Sequence, residues 1–257
     1  MKCLSIEQKN KLSEIGFGSF VDNNCSRVPG KLGYYVVDHF QPKSMHLTLP
    51  AGKIKVTSKL IQRIFDIPCG GTPINKLIVK NSTKKCYKEW QSQFDKDIRP
   101  NALKEKIEKS ESADMNFVLN FIALFLSSMV ECNQSGGGCK TDILERIDES
   151  VDIRSLDWCG FILQSLKTCK KGWKRNDSSS FFNGPIVFLL IIYLDGTSFE
   201  HMDSPREILA FNFWSIEMMK KRQTLEIQCG GFGQCEIKSS NTNSIKEDSD
   251  MKVSTFL

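Results

Sequence analysis

The sequence predicts a mainly α fold, a single helical domain carrying a small β-hairpin. Three observations point there. Apolar residues recur at helical spacing behind recognisable caps, as in "TSKLIQRIF". Two stretches, 114–130 and 184–195, are apolar all round, the pattern of helices buried at the centre of a fold. Only "MHLTLPAGKIKV" alternates apolar and polar residues, on both sides of Pro50-Ala51-Gly52, so strands are expected at 45–49 and 53–56.

The elements follow in order. "SIEQKNKLSEIG" opens a short helix. Ser5 is its N-cap, Gln8 completes a capping box, and Gly16 ends it. "GKLGYYVVDHF" is a second short apolar helix or an extended segment, and the hairpin follows it. Thr57 caps the next helix, whose stripe is Leu60, Ile61, Ile64 and Phe65, and Pro68 stops it. Residues 84–95 and 100–109 read as charged helices, with Pro100 in a first-turn position. Leu124 and Leu190 represent the cores of the two all-apolar helices, and "NQSGGGC" between them is a loop. Residues 155–171 are amphipathic, with Leu156, Cys159, Leu163 and Leu166 on one face and Ile162 beside them. Residues 207–227 carry Phe211, Phe213, Trp214, Ile216 and Met218 and are expected to include a long helix. After Ile237, "KSSNTNSIKEDSD" is poor in core formers. The expected organisation is one helical domain over 1–237 and a disordered polar tail over 238–257.

Composition narrows the function classes. The 257 residues are 40% hydrophobic and 25% charged, ordinary for a globular chain. A formal net charge of +5 is too small to imply nucleic acid by itself. The N-terminal "MKCLSIEQKNKLSEIG" lacks the apolar core of a secretory signal. The run "PIVFLLIIYL" is shorter than the roughly 20 apolar residues a membrane span needs. The ten cysteines are therefore expected to be reduced thiols in a nuclear or cytoplasmic, non-secreted protein.

No local motif carries a reaction. Cys-Gly-Gly closes two apolar stretches, at 69–71 and 229–231. Neither has the Lys and hydroxyl that a phosphate loop needs, so both are expected to be helix ends where Gly supplies positive φ. Cys229/Cys235 and Cys132/Cys139 are spaced more widely than a zinc knuckle, and His39, His46 and His201 are scattered. No nucleophile stands in an elbow motif. The sequence thus assigns no catalytic, cofactor-binding or metal-ligating residue. Two basic clusters remain: Lys167, Lys170, Lys171, Lys174 and Arg175, with Trp173 among them, and Lys220, Lys221 and Arg222. They could stay solvated near helix ends or form a patch for an anionic partner, with Trp173 as a stacking surface.

Several segments, in order, resemble one family. "IGFGSF" and "VPGKLGYYVVDHFQPKSMHLTLPAGKIKVTSKLIQRIFDIPCGG" are similar to the start of the plant mobile domain, also called the aminotransferase-like plant mobile domain. "DMNFVLNFIALFLSSM", "DIRSLDWCGFILQSLK", "FFNGPIVFLLIIYLD" and the Arg206…Phe213-Trp214 segment extend the likeness over about residues 10–235. The resemblance implies a transposon-derived protein, related to regions found fused to SUMO-protease-like domains. No Schiff-base lysine pattern supports aminotransferase chemistry. The expected function is a non-enzymatic, nuclear protein-interaction module without cofactor or membrane contact. The alternatives are an accessory region of a truncated SUMO-protease-type cysteine peptidase and a weak, non-specific nucleic-acid binder.

Overall fold

The computed structural model describes residues 4–21, 28–95, 97–131, 138–177, 180–199 and 202–238. The loop expected at 133–139 and the tail expected from 238 lie largely outside them. Among the described residues there are ten α-helices and one three-stranded antiparallel sheet, so the fold is mainly α with a small β element.

α1 (Ile6–Glu14) begins with the expected capping box: Ser5 Oγ accepts from the Gln8 N–H, and Gln8 Oε1 accepts from the Ser5 N–H. Gln8 also has a tertiary role. Its buried amide donates to the carbonyls of Ile107 (3.2 Å) and Ser110 (2.6 Å), at the C-terminal end of α5 (Pro100–Lys109). α2 (Gly30–His39) is a helix, which resolves the open alternative for that segment.

The chain then turns into β1 (Phe40–Gln41), β2 (His46–Leu49) and β3 (Gly52–Lys55), in the order β1-β2-β3. The expected hairpin is present, with strand ends shifted by a residue, and β1 adds a strand to it. The physical reason is register. Phe40 stands opposite Leu47, which stands opposite Ile54, and all three side chains are completely buried. Phe40 supplies the third inward position of one apolar row.

α3 (Ser58–Phe65) starts at Thr57, whose side chain accepts from the Leu60 N–H at 3.1 Å. It ends on Asp66 in the left-handed conformation, two residues before Pro68. Cys69-Gly70-Gly71 is therefore a turn beyond the helix, not the helix end itself, which corrects the expectation. α4 (Asn81–Gln91) buries Trp90, whose indole N–H donates to Asn120 Oδ1 at 2.8 Å. Asn120 lies in α6 (Met115–Phe125), which continues as a π-helical turn at Leu126–Val130. Leu124 is the partly exposed edge of α6; its neighbours from Phe117 to Phe125 are otherwise buried.

α7 (Trp158–Gly172) is capped by Asp157, which accepts from the Gly160 N–H at 2.9 Å. Its buried face is Trp158, Cys159, Ile162, Ser165 and Leu166. Leu156 is buried but precedes the helix, and Leu163 is only partly buried. The fully buried Trp158 indole sets the face, turning the stripe away from the expected line. α8 (Ile186–Gly196) runs through the centre, with Phe188 to Leu194 completely buried. α2 and α3 pack against α8, and α3 also against α7.

The long helix expected within 207–227 is present from Ile216, preceded by a separate short one. α9 (Ala210–Phe213) and α10 (Ile216–Gln228) are separated where Trp214 turns extended and buries its ring. Ser215 then starts a new helix by accepting from the Met218 N–H at 3.3 Å. Residues 233–238 strap the sheet and α8: Ala51 N–H donates to Gly233 O, Ser198 N–H to Glu236 O, and Lys238 N–H to Gly196 O. No helix among the described residues is long and apolar enough to cross a membrane.

Candidate interaction surface

Lys170 lies in the last turn of α7, where a cation normally reaches into water. Here its ammonium turns back and donates to the carbonyls of Val37 (2.6 Å) and Asp38 (3.3 Å), at the C-terminal end of α2. It adds a donor at the helix end, where the Val37 carbonyl already accepts the Phe40 N–H, and complements the negative end of the α2 dipole. It also stands 3.9 Å from the centroid of the Trp173 ring. Burial pulls its pKa down to about 8, with Asp38 acting against that shift and Arg175 reinforcing it.

Around this anchor the chain builds an aromatic groove. Trp173 meets Tyr34 edge to face, with centroids 5.6 Å apart at 67°. Tyr34 O–H donates to Asn176 Oδ1 at 3.3 Å, and the Lys174 N–H donates to Ser180 Oγ at 2.8 Å, so the segment after α7 folds back on α2. Phe181 and Phe182 form the outer wall, and Val37 and Ile186 the floor. The space is about 500 Å³. Two of its aromatic rings face solvent, Tyr34 at 46% and Phe181 at 59% exposure. Lys171, Lys174 and Arg175 are exposed nearby, with Arg175 Nε 3.4 Å from Asp38 Oδ2. Lys167, one turn earlier, is half-buried.

The second basic cluster does not join the first. Lys220 and Lys221 are exposed, but Arg222 is completely buried, which corrects its assignment to a surface patch. Its guanidinium pairs with Glu226 one turn later, donates to Thr197 Oγ1 at 2.9 Å and stands over the Phe199 ring at 4.4 Å. α10 is held by Gln223, which accepts the Leu32 N–H near the start of α2 at 2.9 Å. The two clusters are thus anchored at opposite ends of α2, a ten-residue helix about 15 Å long. The eight cations do not form one exposed patch.

The sequence missed the groove's aromatic walls. The available signal was "SSSFFNG", two adjacent phenylalanines in a serine-rich stretch where no helical or strand period calls for them. It also missed the buried network. Tyr193 donates to Glu226, Glu226 pairs with Arg222, and the Gly233 N–H donates to Tyr193 Oη at 2.9 Å. Burial, reinforced by Glu226, raises the Tyr193 pKa far above its ordinary value.

Other candidates are occupied by internal bonds. A polar cleft of about 950 Å³ holds two ion pairs, Arg63 with Asp195 and Lys238 with Asp203, and is also lined by Arg206, Glu207 and Glu236. His39 stacks on Tyr35 with its Nδ1 2.9 Å from the Tyr35 carbonyl; His46 lies in β2; His201 lies outside the described residues. Among the described residues, the seven cysteines are free thiols and no cluster of three His, Cys, Asp or Glu is placed to hold a metal.

A family model matches residues 1–190 of the 257. The chain belongs to that family, described as Domain of unknown function (DUF8566). The DUF8566 span runs from α1 into α8 and contains the whole aromatic groove, whereas Arg222, Glu226 and the 233–238 strap lie beyond it. No curated protein and no solved structure matches the chain.

Proposed function

We propose that this DUF8566 member is a non-enzymatic, nuclear protein-interaction module of mobile-element origin. The observation that carries the binding role is the groove between α2, the end of α7 and α8, with exposed Tyr34 and Phe181 beside exposed cations. A contiguous apolar hollow rimmed by polar residues is characteristic of a surface that meets a partner. The origin and the compartment rest on the resemblance of "IGFGSF", "IFDIPCGG" and the later segments to the plant mobile domain. The non-enzymatic reading rests on how the titratable groups are used. Arg222, Glu226 and Tyr193 bond one another in the core, and Lys170 is committed to the α2 carbonyls. The test is affinity capture from nuclear extract, with and without nuclease, using the full chain and its Phe181→Asp variant. Protein capture that survives nuclease and is lost in the variant is expected. Capture unaffected by Phe181→Asp, or abolished by nuclease, would refute the reading.

A further inference from the structure

We propose that the groove between Tyr34, Trp173 and Phe181 takes a short, acidic peptide segment, anchored by one large apolar side chain. The inference rests on the interaction reading above and names the chemistry of the partner.

Shape gives the anchor. The floor is aliphatic, Val37 and Ile186, and the walls are Trp173, Phe181 and Phe182. A hollow of about 500 Å³ fits a Phe, Leu or Trp side chain with part of its flanks. Burying such an anchor against half-exposed Phe181 and Tyr34 removes apolar surface from water on both partners.

Charge gives the flanks. Lys171, Lys174 and Arg175 are exposed around the hollow, and among the described residues Lys171 and Lys174 have no ion-pair partner. Lys174 and Asp177 both line the hollow; Asp38, whose side chain is only 10% exposed, is turned toward Arg175. Three exposed cations against the half-buried Asp177 leave the rim net positive, and acidic residues beside the anchor match it.

A single-stranded nucleic acid is the competing occupant, since aromatic rings among cations also stack bases. The geometry favours the peptide. The Lys170 ammonium already covers the Trp173 ring, and Tyr34 meets that ring edge-on, so Trp173 has little free flat surface. An aliphatic floor of Val37 and Ile186 suits a side chain better than a planar base.

The test is fluorescence anisotropy on the full chain with four labelled probes. They are a peptide of Asp, Glu, Ser and Gly with one central Phe, the same peptide with Ser for that Phe, a version with Lys for every acid, and oligothymidylate. The first probe is expected to bind. Losing its Phe, reversing its charges, or introducing Phe181→Ser or the pair Lys171→Glu and Lys174→Glu into the chain should each weaken it about tenfold or more. Lys220→Glu with Lys221→Glu, at the other end of α2, should leave it unchanged. Circular dichroism of the Phe181→Ser chain checks that the fold is retained. No binding of the first probe, equal binding of its Ser version, or indifference to Phe181→Ser would overturn the inference. Oligothymidylate binding that exceeds the peptide's and depends on Phe181 would give the groove to a single strand instead. If nuclease-resistant capture depends on Phe181 while no peptide binds, the interaction reading stands and the acidic-segment inference falls.

Discussion

Arg222 and Glu226 lie one turn apart in α10, both without solvent exposure. On a solvated helix face an i,i+4 pair contributes a few tenths of a kcal/mol. Here the context reverses the arithmetic. Each charge has lost its hydration, and the pair is supported by hydrogen bonds with Thr197, Tyr193 and Gly233, while Arg222 Nη1 stays without a partner among the described residues. Arg222→Met leaves Glu226 buried and unpaired, and urea denaturation should show a loss of about 3–5 kcal/mol. The double variant Arg222→Met, Glu226→Leu should recover much of that loss, because both buried charges are gone. Lys170 makes a second prediction. Its pKa falls from the ordinary lysine value to about 8 in the folded chain, so the unfolded chain holds this proton more tightly. Folding then releases the proton as pH rises from about 8 toward the unfolded value, and this group's contribution to stability increases across that window. Tryptophan fluorescence should show a transition near pH 8, as the Trp173–ammonium contact loses its charge, that is missing in Lys170→Met.

At the scale of elements, the repeated Cys-Gly-Gly has two different structural jobs. At 229–231 it follows α10 directly, and the Gly231 N–H returns to the Glu226 carbonyl at 2.8 Å, an ordinary helix ending. At 69–71 it joins α3 to α7. The Gly70 N–H donates to Asp157 Oδ1 at 3.0 Å, the Thr72 N–H to Ser155 O at 3.0 Å, and the Asp157 N–H to Thr72 O at 2.9 Å. Asp157 thereby caps α7 and binds the turn at once. Gly70 and Gly71 both have positive φ, 81° and 86°, but only Gly71 is crowded. A Cβ at Gly71 would run into the Ser155 carbonyl, whereas one at Gly70 would meet open space. Gly70→Ala should therefore cost about 1 kcal/mol, the left-handed penalty alone. Gly71→Ala should cost about 2–4 kcal/mol, since strain and displacement of the Ser155 backbone add. Thermal denaturation of the two variants checks the order.

Across the whole molecule, the chain closes on itself through residues 233–238. They bond the hairpin tip at Ala51 and the end of α8 at Gly196 and Ser198, and cover the Tyr193–Glu226 pair. A chain ending at Gln228 loses these bonds and opens Glu226 to water. Its melting should fall by the equivalent of at least about 2 kcal/mol, and a chain ending at Lys238 should keep the strap's stability. Much of the fold was legible beforehand because its signals are local. Ser5 with Gln8, Thr57 with Leu60, and the apolar runs of α6 and α8 concern neighbours within a turn, so pattern and propensity suffice. The break at Trp214 was not legible, because burying one indole in the core outweighed continuing a helix, and that gain depends on distant residues. The site divides the same way. Sequence alone determined that Lys167, Lys170, Lys171, Lys174, Arg175 and Trp173 would cluster at the end of one helix. Only tertiary structure decided that Lys170 would cap α2, that Arg222 would be buried, and that Tyr34 and Phe181, far apart in the chain, would enclose one groove. The reason is that burial and pairing are set by which surfaces meet in space, and helical periodicity specifies a face without specifying what covers it.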